Sequence, residues 1–379
     1  MKFKRVLMFL QLFAHEHQER WSKMVLAKLR QELVLKDGVV FNNDYEGSPA
    51  AGVVKIPQRD EEVVVSDYDK ANGITGTHGS TAYVNMPITK DKAVNEIIDG
   101  YDAAAVPDNL VADRLDSAAY SMAKQIDTDG GTTLLAAATV DNEAQLAKDN
   151  IYSAIVDIRT RMNKANIPND GKRYLLALPD AMALILKSPE FISASSLGDE
   201  VKQTGAIGKI AGFLVIEWND TTANLQLLAG HPRFATRAMD FAVDIHLQDL
   251  AGSGKYIGAS AVQGRKVYDH KVLRSVAIRA VYSPGSLVLQ AAQGSAAGTT
   301  KLTVASGNSG TTYAYKKNPA ERAVFGATKT VYAGTDLTSG TTEIPVAEGD
   351  IIEVVNLVTN KVQNVGYYTV KAGDIKPSA

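Results

Sequence analysis

The spacing of apolar residues predicts two long helices in the middle of the chain. After Pro107, apolar residues return at every third or fourth position and would form one stripe on a helix: Val111, Leu115, Ala118, Met122 and Ile126. The run Asp127–Gly131, which reads Asp-Thr-Asp-Gly-Gly, is expected to end this helix. A second helix is predicted from about Glu143 to Ala165, where Asn142 and Gln145 resemble a capping box at the start.

Before these helices, short apolar runs separated by turns predict an extended β-hairpin. Val53–Ile56, closed by Pro57, is typical of a strand, and Val63–Val65 is a second short β run. A tip rich in Gly, Thr and Ser covers residues 73–81, and Tyr83–Ile88 would be the returning strand. Because an isolated hairpin buries little surface, we expect it to lie on something else, such as another copy of the chain.

After the second helix, strands and helices alternate, which predicts the α+β class. Arg173–Leu178 and Phe213–Trp218 are expected to be strands, and a short helix is predicted around Asp180–Leu186. Val267–Ala280 alternates apolar and polar residues, as a half-buried strand does.

The pattern changes at Ser283-Pro284-Gly285. Beyond this point only short β runs separated by Gly, Thr and Ser follow: Lys301–Val304, Thr342–Val346, Asp350–Leu357 and Tyr367–Val370. Residues 284–379 are therefore expected to form a small all-β domain, an Ig-like sandwich.

The N-terminus begins with a basic cluster, Lys2, Lys4 and Arg5, followed by the apolar run Val6–Ala14. This order is that of a secretory signal, but no small-residue cleavage site follows the run. The run is also too short to span a membrane. We therefore expect an amphipathic N-terminal arm that reaches Leu35.

The composition is that of an ordinary folded protein of two or three domains. The chain has 379 residues, of which 45% are hydrophobic and 22% charged. Lys and Arg total 40 against 42 Asp and Glu, a net charge of -2, so the basic excess of a dedicated nucleic-acid binder is missing. The absence of cysteine excludes disulfides, thiolate metal sites and cysteine nucleophiles.

The motifs that could carry chemistry fail on inspection. Gly252-Ser253-Gly254-Lys255 suggests a phosphate-binding loop, but Asp249 and Tyr256 stand where that loop needs a glycine and a hydroxyl residue. A glycine-rich turn between strands is the better interpretation. Asp127–Gly130 hints at a calcium loop, but its twelfth position is Ala138 instead of a glutamate. These aspartates are better explained as polar caps at a helix C-terminus.

The six histidines form no zinc-binding spacing, and no Gly-x-Ser-x-Gly elbow is present. Scattered carboxylates leave a glycosidase-like acid pair open, since sequence cannot pair them in space. We predict no catalytic residue, no cofactor-binding residue, no metal ligand and no cofactor. A chain of this size without a site suggests a structural part, not an enzyme.

The order of several segments resembles the major capsid proteins of tailed bacteriophages with the HK97-type fold, in the branch that includes the P22 coat protein. The resemblance covers about residues 20 to 283 and rests on four groups of residues. They are Trp21–Lys23 through Asn43–Gly47 to Val53–Pro57; Asp67-Tyr68 with Ile88–Ala93 and Ile97–Asp102; Ala123–Asp127; and Asn166–Pro168 with Gly171–Leu175, Pro179 and Gly205–Val215.

The resemblance implies a division of the chain into four parts. Residues 1–52 would be the N-terminal arm and residues 53–100 the extended loop that lies on a neighbouring subunit. Residues 101–283 would hold the peripheral domain with its long spine helix and the axial domain, with Val267–Ala280 returning to the peripheral sheet. Residues 284–379 would be an addition to that fold, and by analogy would project from the outer surface.

It also implies partners and a location. The chain would assemble with itself into hexamers and pentamers of an icosahedral shell enclosing double-stranded DNA, with a separate scaffolding protein and a portal. Assembly would take place in the host bacterial cytoplasm and the product would be the virion, without contact to a membrane. Residues 284–379 would serve decoration or contact with a host surface.

Three alternatives stay open. An encapsulin-like bacterial compartment shell shares the fold. A secreted adhesin, a protein of a different class, would account for the N-terminal apolar run and the C-terminal β-domain. An enzyme with scattered carboxylates comes third.

Overall fold

The computed structural model describes residues 30–31, 33–45, 52–58, 63, 65–74, 81–105, 110–189, 208–305 and 312–378. Most of the predicted N-terminal arm, with its signal-like run, therefore lies outside the described residues. Most of the predicted hairpin turn (residues 73–81) and Val64, the middle residue of the run Val63–Val65, also lie outside the described residues. Val63 and Val65 themselves lie in no strand.

Helices and strands mix along the first three quarters of the chain, which confirms the predicted α+β class. The helices are α1 (Gly100–Ala105), α2 (Leu110–Ala137), α3 (Ile151–Lys164) and α4 (Pro179–Leu186). The strands are β1 (Val53–Gln58), β2 (Ala82–Pro87), β3 (Lys90–Ile98), β4 (Thr139–Asn142), β5 (Tyr174–Ala177), β6 (Lys209–Ile210), β7 (Phe213–Glu217), β8 (Leu225–Gly230), β9 (Ala235–Asp249), β10 (Ser260–Val272) and β11 (Arg279–Tyr282).

A long three-stranded antiparallel sheet, in the order β3-β10-β9, carries helix α2 on one face. The helix and the sheet meet through apolar side chains at helical spacing on one side and alternate strand positions on the other. Buried members are Ala118, Met122 and Ile126 from the helix and Ile98, Val262 and Tyr268 from the strands. The predicted apolar stripe of α2 is thus its buried face.

A six-stranded mixed sheet, in the order β4-β11-β8-β5-β7-β6, has a core on each face. Its central strand β5 is fully buried, so its alternate residues point into different cores. Leu175 and Ala177 pack against α3 and α4. Tyr174 and Leu176 pack with Leu134 of α2 and with residues 34–41, a segment that we call the strap.

The predicted end of the first long helix is wrong. Helix α2 continues through Asp127–Gly131 to Ala137, and the glycines lie inside it. A Cβ at residue 130 would lie 3.0 Å from the ring of Phe41, and one at residue 131 would lie 2.9 Å from Cζ2 of Trp218. The two glycines therefore allow aromatic rings to approach the helix closely and do not terminate it. The aspartates of this run are mid-helix residues, not caps.

The predicted start of the second helix is also wrong. Asn142 is the last residue of β4 and pairs in parallel with Tyr282 of β11, so it caps no helix. Helix α3 begins only at Ile151, after a turn in which the Asn150 side chain accepts a hydrogen bond from the backbone N–H of Ala147 (2.7 Å). Pairing with a strand distant in sequence overrides the local capping pattern here.

The predicted single strand Val267–Ala280 is two strands in two sheets. β10 ends at Val272, and β11 begins at Arg279 after a single 3₁₀ turn, Ser275–Ala277. The predicted hairpin is confirmed for β1 and β2, which pair in antiparallel register from Val53↔Pro87 to Gln58↔Ala82. β3, which follows directly, belongs to the three-stranded sheet instead.

The last quarter of the chain forms two further sheets and one short helix. Its elements are β12 (Gly285–Ser286), β13 (Leu289–Gln293), β14 (Thr299–Val304), β15 (Thr312–Lys317), α5 (Lys329–Tyr332), β16 (Thr335–Leu337), β17 (Ile344–Pro345), β18 (Ile351–Val358) and β19 (Lys361–Thr369). The sheets have the orders β12-β19-β18-β15-β16 and β13-β14-β17, and side chains from both share a core. The Ig-like assignment of this part stays a prediction.

A buried polar cluster holds the strap against α2 and the three-stranded sheet. Asp127 accepts a hydrogen bond from the backbone N–H of Leu35 (2.9 Å), and Arg237 donates to the carbonyl of Leu35 (2.7 Å). Arg237 also donates through Nε to Nε2 of His270 (3.0 Å) and pairs with Asp37 (3.1 Å). Burial, with the nearby cations, lowers the pKa of His270 to about 3, while burial raises the pKa of Asp127. His270 therefore acts as a neutral acceptor.

Replacing Gly131 by Ala should destabilise the protein although alanine is the better helix former. The gain in helix propensity is about 1 kcal/mol, whereas overpacking against Trp218 is expected to cost about 1–3 kcal/mol. Denaturant unfolding of the two chains would show a lower midpoint for the variant. Gly252→Ala, where a Cβ meets no atom within 4 Å, is the control. Equal midpoints for Gly131→Ala and the control would contradict the close approach.

The buried neutral His270 should make stability depend on pH between the folded pKa of about 3 and the unfolded pKa of about 6.5. In this range the unfolded chain binds a proton at residue 270 and the folded chain does not, because the folded pKa is about 3. The free energy of unfolding should thus decrease as pH falls, by at most about 1.4 kcal/mol per unit for this group. His270→Gln keeps an acceptor for Arg237 and should flatten the profile, measured by urea unfolding. His246→Gln, the same substitution at an exposed position, is the control against which the profile of His270→Gln is compared.

Candidate assembly surfaces

The β1–β2 hairpin packs on the three-stranded sheet through one small apolar cluster. Ile56 and Met86 pack on Ala238 of β9, which fixes the hairpin to the three-stranded sheet. Among the described residues, neither strand pairs with a third strand. Tyr83 is 63% exposed, and Val53, towards the other end of the ribbon, is exposed as well. A two-stranded ribbon with exposed apolar side chains needs a further surface to cover it.

The segment between the two strands adds to this apolar surface. Val65 is 94% exposed, and Tyr68 and Ile74 are exposed as well. Asp69 organises a local turn here, because its carboxylate accepts hydrogen bonds from the backbone N–H of Ala71 (2.8 Å) and from Asn72 (2.7 Å). These bonds lower the pKa of Asp69. This aspartate thus shapes a turn within an exposed apolar segment.

A second exposed apolar group lies at one end of the three-stranded sheet, and we call it the tip: Ile97, Tyr101, Leu247 and Ile257. Ile257 is 94% exposed and Tyr101 is 81% exposed. The turn between β9 and β10 touches the start of α1, since a Cβ on Gly100 would lie 1.9 Å from the carbonyl oxygen of Gly258. The tip is therefore the end of the sheet where β3, α1, the end of β9 and the turn after β9 meet, with Ile97 and Leu247 on opposite faces of the sheet.

The glycine-rich sequence Gly252–Lys255 lies in this turn, which confirms the interpretation as a turn between strands. Gly254 has a φ of 68°, a left-handed conformation that favours glycine. Asp249 accepts a hydrogen bond from the backbone N–H of Ala251 (2.9 Å) and so helps to form the turn. Asp249 and Tyr256, which do not fit the phosphate-loop pattern, are parts of the turn that contains the exposed Ile257.

Polar and apolar side chains lie next to each other on the face of the three-stranded sheet opposite α2. Arg265 donates through Nε to Asp91 on the neighbouring strand (2.8 Å), and its guanidinium lies 5.9 Å from the ring centroid of Phe241. The hydrogen bond with Arg265 lowers the pKa of Asp91. Both partners are largely exposed, so the pair contributes little to stability. It orders a charged patch that another molecule could contact.

The residues considered for metal or nucleotide chemistry have structural positions. Asp127 binds the strap, and Asp129 accepts a hydrogen bond from the Tyr268 hydroxyl (2.8 Å). His231 is buried and bonds Asp170 (3.0 Å), whereas His15, His17 and His78 lie outside the described residues. In the described part of the chain, no three His, Asp or Glu side chains are grouped to hold a metal ion. No described helix is both long and apolar enough to cross a membrane.

Sequence reasoning missed the tip. Its members are far apart along the chain, and exposure is a property of the folded state. The signal that could have found it is Tyr256-Ile257, a pair of large apolar residues placed between two glycines in a turn. Turns between strands are normally polar, so an isoleucine there indicates a contact.

The fold is similar to solved structures from phages. A chain of Mycobacterium phage Che8 matches with a TM-score of 0.60 and 23% identity, over 71% of this chain and 98% of that chain. The capsid structure of the cyanophage P-SCSP1u matches with a TM-score of 0.58 and 14% identity, over 70% of this chain and 92% of that one. The bacteriophage PhiM1 mature capsid gives 0.57 and 12%, with the same coverage of 70% and 92%.

No protein-family model and no curated protein matches the sequence. The phage chains are covered almost completely, whereas this chain has further residues beyond the shared part. At these identities the likeness concerns the fold, and it shows that this chain has the α+β fold found in phage capsid structures.

Proposed function

We propose that this protein is the major capsid subunit of a tailed bacteriophage, a structural protein and not an enzyme. The observation that carries the proposal is the fold shared with capsid structures, over nearly the full length of those chains. The exposed apolar hairpin and tip support it, because a monomer gains nothing from such surfaces in water. In a shell, they would be covered by other copies.

The finer assignment is to the HK97-type fold and the P22-like branch. In this proposal β1–β2 is the extended loop that lies on a neighbouring subunit, and α2 is the spine helix of the peripheral domain. The six-stranded sheet with α3 and α4 is the axial domain. The length of α2, 28 residues, and its packing on a long three-stranded sheet support this assignment.

The partners follow from the same proposal. Copies of the chain form hexamers and pentamers of an icosahedral shell, assembled in the host bacterial cytoplasm and found in the virion. A separate scaffolding protein and a portal take part, and packaged double-stranded DNA is enclosed without being gripped. The net charge of -2 supports enclosure without tight binding, because tight DNA binding needs clustered cations.

Residues 284–379, proposed as an Ig-like domain, serve decoration or contact with a host surface in this proposal. An encapsulin-like compartment shell is the alternative within the same fold. It would contain cargo enzymes instead of DNA. A secreted adhesin would instead need residues 1–35 to direct export of a fused reporter.

Electron microscopy of the purified protein, with particle mass from sedimentation, tests the proposal. We expect closed shells, or tubes and sheets of hexamers, after expression with the matching scaffolding protein. Tyr83→Ser, at an exposed position of β2, should reduce assembly without lowering the stability of the free subunit. A monodisperse monomer in the presence of the scaffolding protein would contradict the proposal.

Replacing Ile257 by Asp tests the tip separately. Because this side chain is 94% exposed in the single chain, the unfolding midpoint should stay within error of the parent value. Burying an unpaired carboxylate between copies is costly, so the yield of shells should fall at least about tenfold. Val331→Asp, on α5 and 74% exposed, is the matched control and should assemble normally. Normal assembly of Ile257→Asp would exclude the tip from the contacts between copies.

A further inference from the structure

A loop of the C-terminal part extends the edge of the six-stranded sheet. We call residues Ala323–Gly326 the docking loop. Beyond β4, the edge strand, Ala144 forms an antiparallel bridge with Val324, and the backbone N–H of Phe325 donates to the carbonyl of Glu143 (3.1 Å). The docking loop thus pairs with the two residues that follow β4, at the end of this edge.

Side chains reinforce the backbone contact. The ring of Phe325 stacks on Tyr282 of β11, with centroids 5.6 Å apart and an angle of 17° between the planes. Gly326 has a φ of 72°, and a Cβ there would lie 3.3 Å from Nδ2 of Asn142. The loop therefore fits closely against the last residues of both β4 and β11.

A second set of contacts holds residues 283–286, which connect the six-stranded sheet to the C-terminal β-domain. Asn224, in the turn before β8, accepts at its carbonyl from the backbone N–H of Ser283 (3.1 Å) and donates through Nδ2 to Gln363 of β19 (3.2 Å). Gln145 donates to the hydroxyl of Ser286 (2.9 Å). The connection at residues 283–286 is thus fixed from two sides and does not act as a free tether.

The docking loop is anchored inside its own domain by a buried carboxylate. Glu353 of β18 is fully buried and accepts a hydrogen bond from the backbone N–H of Ala323 (2.9 Å). Tyr332 donates to the backbone carbonyl of Glu353 (3.3 Å) and packs in the same core. A buried polar group is costly unless it is hydrogen-bonded, so this bond ties the loop to the domain core.

Salt bridges also hold the segment Asp141–Glu143, which the docking loop contacts, to β11 and α3. Asp141 pairs with Arg279 of β11 (2.9 Å), and Arg161 of α3 pairs with Glu143 (2.9 Å) and Asp141 (3.4 Å). Glu143 therefore binds α3 with its side chain and the docking loop with its carbonyl. The docking loop meets a rigid edge.

From these contacts we infer that the C-terminal β-domain is a fixed cap on the β4 edge of the six-stranded sheet. It occupies the backbone positions beside Glu143 and Ala144 at the end of that edge, and these contacts hold the C-terminal β-domain in one orientation relative to the sheet. The inference concerns the single chain and holds whether or not the protein builds shells.

A disulfide across the bridge tests the docked arrangement in the full chain. The chain contains no cysteine, so Ala144→Cys with Val324→Cys introduces a single pair. Residues directly opposite in antiparallel strands have Cα atoms about 4.5–5.5 Å apart, within the range of disulfides. We expect nearly complete oxidation of the native double variant under mild oxidant, seen by mass spectrometry after alkylation. The control, Ala144→Cys with Val331→Cys, should stay reduced.

Hydrogen exchange on Phe325→Ala gives a second readout that needs no oxidation. Loss of the stacking with Tyr282 should speed exchange of the backbone N–H of residue 325 at least about fivefold, because local opening becomes easier. Val331→Ala should change nothing there. A double cysteine variant that oxidises no faster than its control, or exchange at residue 325 that is as fast in the parent chain as in an unstructured peptide, would overturn the inference.

Discussion

The packing of one helix against two sheets is the contact on which the rest of the structure depends. Helix α2 has 28 residues and is therefore about 42 Å long. Its first part covers the three-stranded sheet through Ala118 and Met122, and Leu134 near its end enters the core of the six-stranded sheet. Between these parts, two glycines let the rings of Phe41 and Trp218 reach the helix backbone. The strap and both sheets thus meet on one rigid element.

In this arrangement, the exposed apolar side chains lie mainly at the periphery of the subunit, and few lie near α2. The tip and the hairpin lie where the sheets run out, away from the two cores of the six-stranded sheet. Contacts between copies can cover them without changing the subunit, which suits a part that is used many times in one assembly.

Local sequence patterns predicted helices and strands correctly where local interactions determine the structure. The strands around Val54 and Tyr83 pair with each other across one loop, and both were predicted. Prediction failed where distant residues decide: Gly131 leaves room for Trp218 inside the helix and does not end it, and Asn142 is extended because it pairs with Tyr282. The overall α+β fold was expected because the order of several segments resembles that of phage capsid proteins. The tip could not follow from either, because exposure depends on the completed fold.

The two edges of the six-stranded sheet are protected by different means. At one edge, β6 is two residues long and carries the exposed Lys209, and short, charged edges resist pairing with other chains. At the other edge, the docking loop occupies the place next to Glu143 and Ala144. Among the described residues, one edge is therefore a short charged strand, and the docking loop occupies the end of the other. In the proposed assembly, side chains of the hairpin and the tip would then supply the contacts between copies.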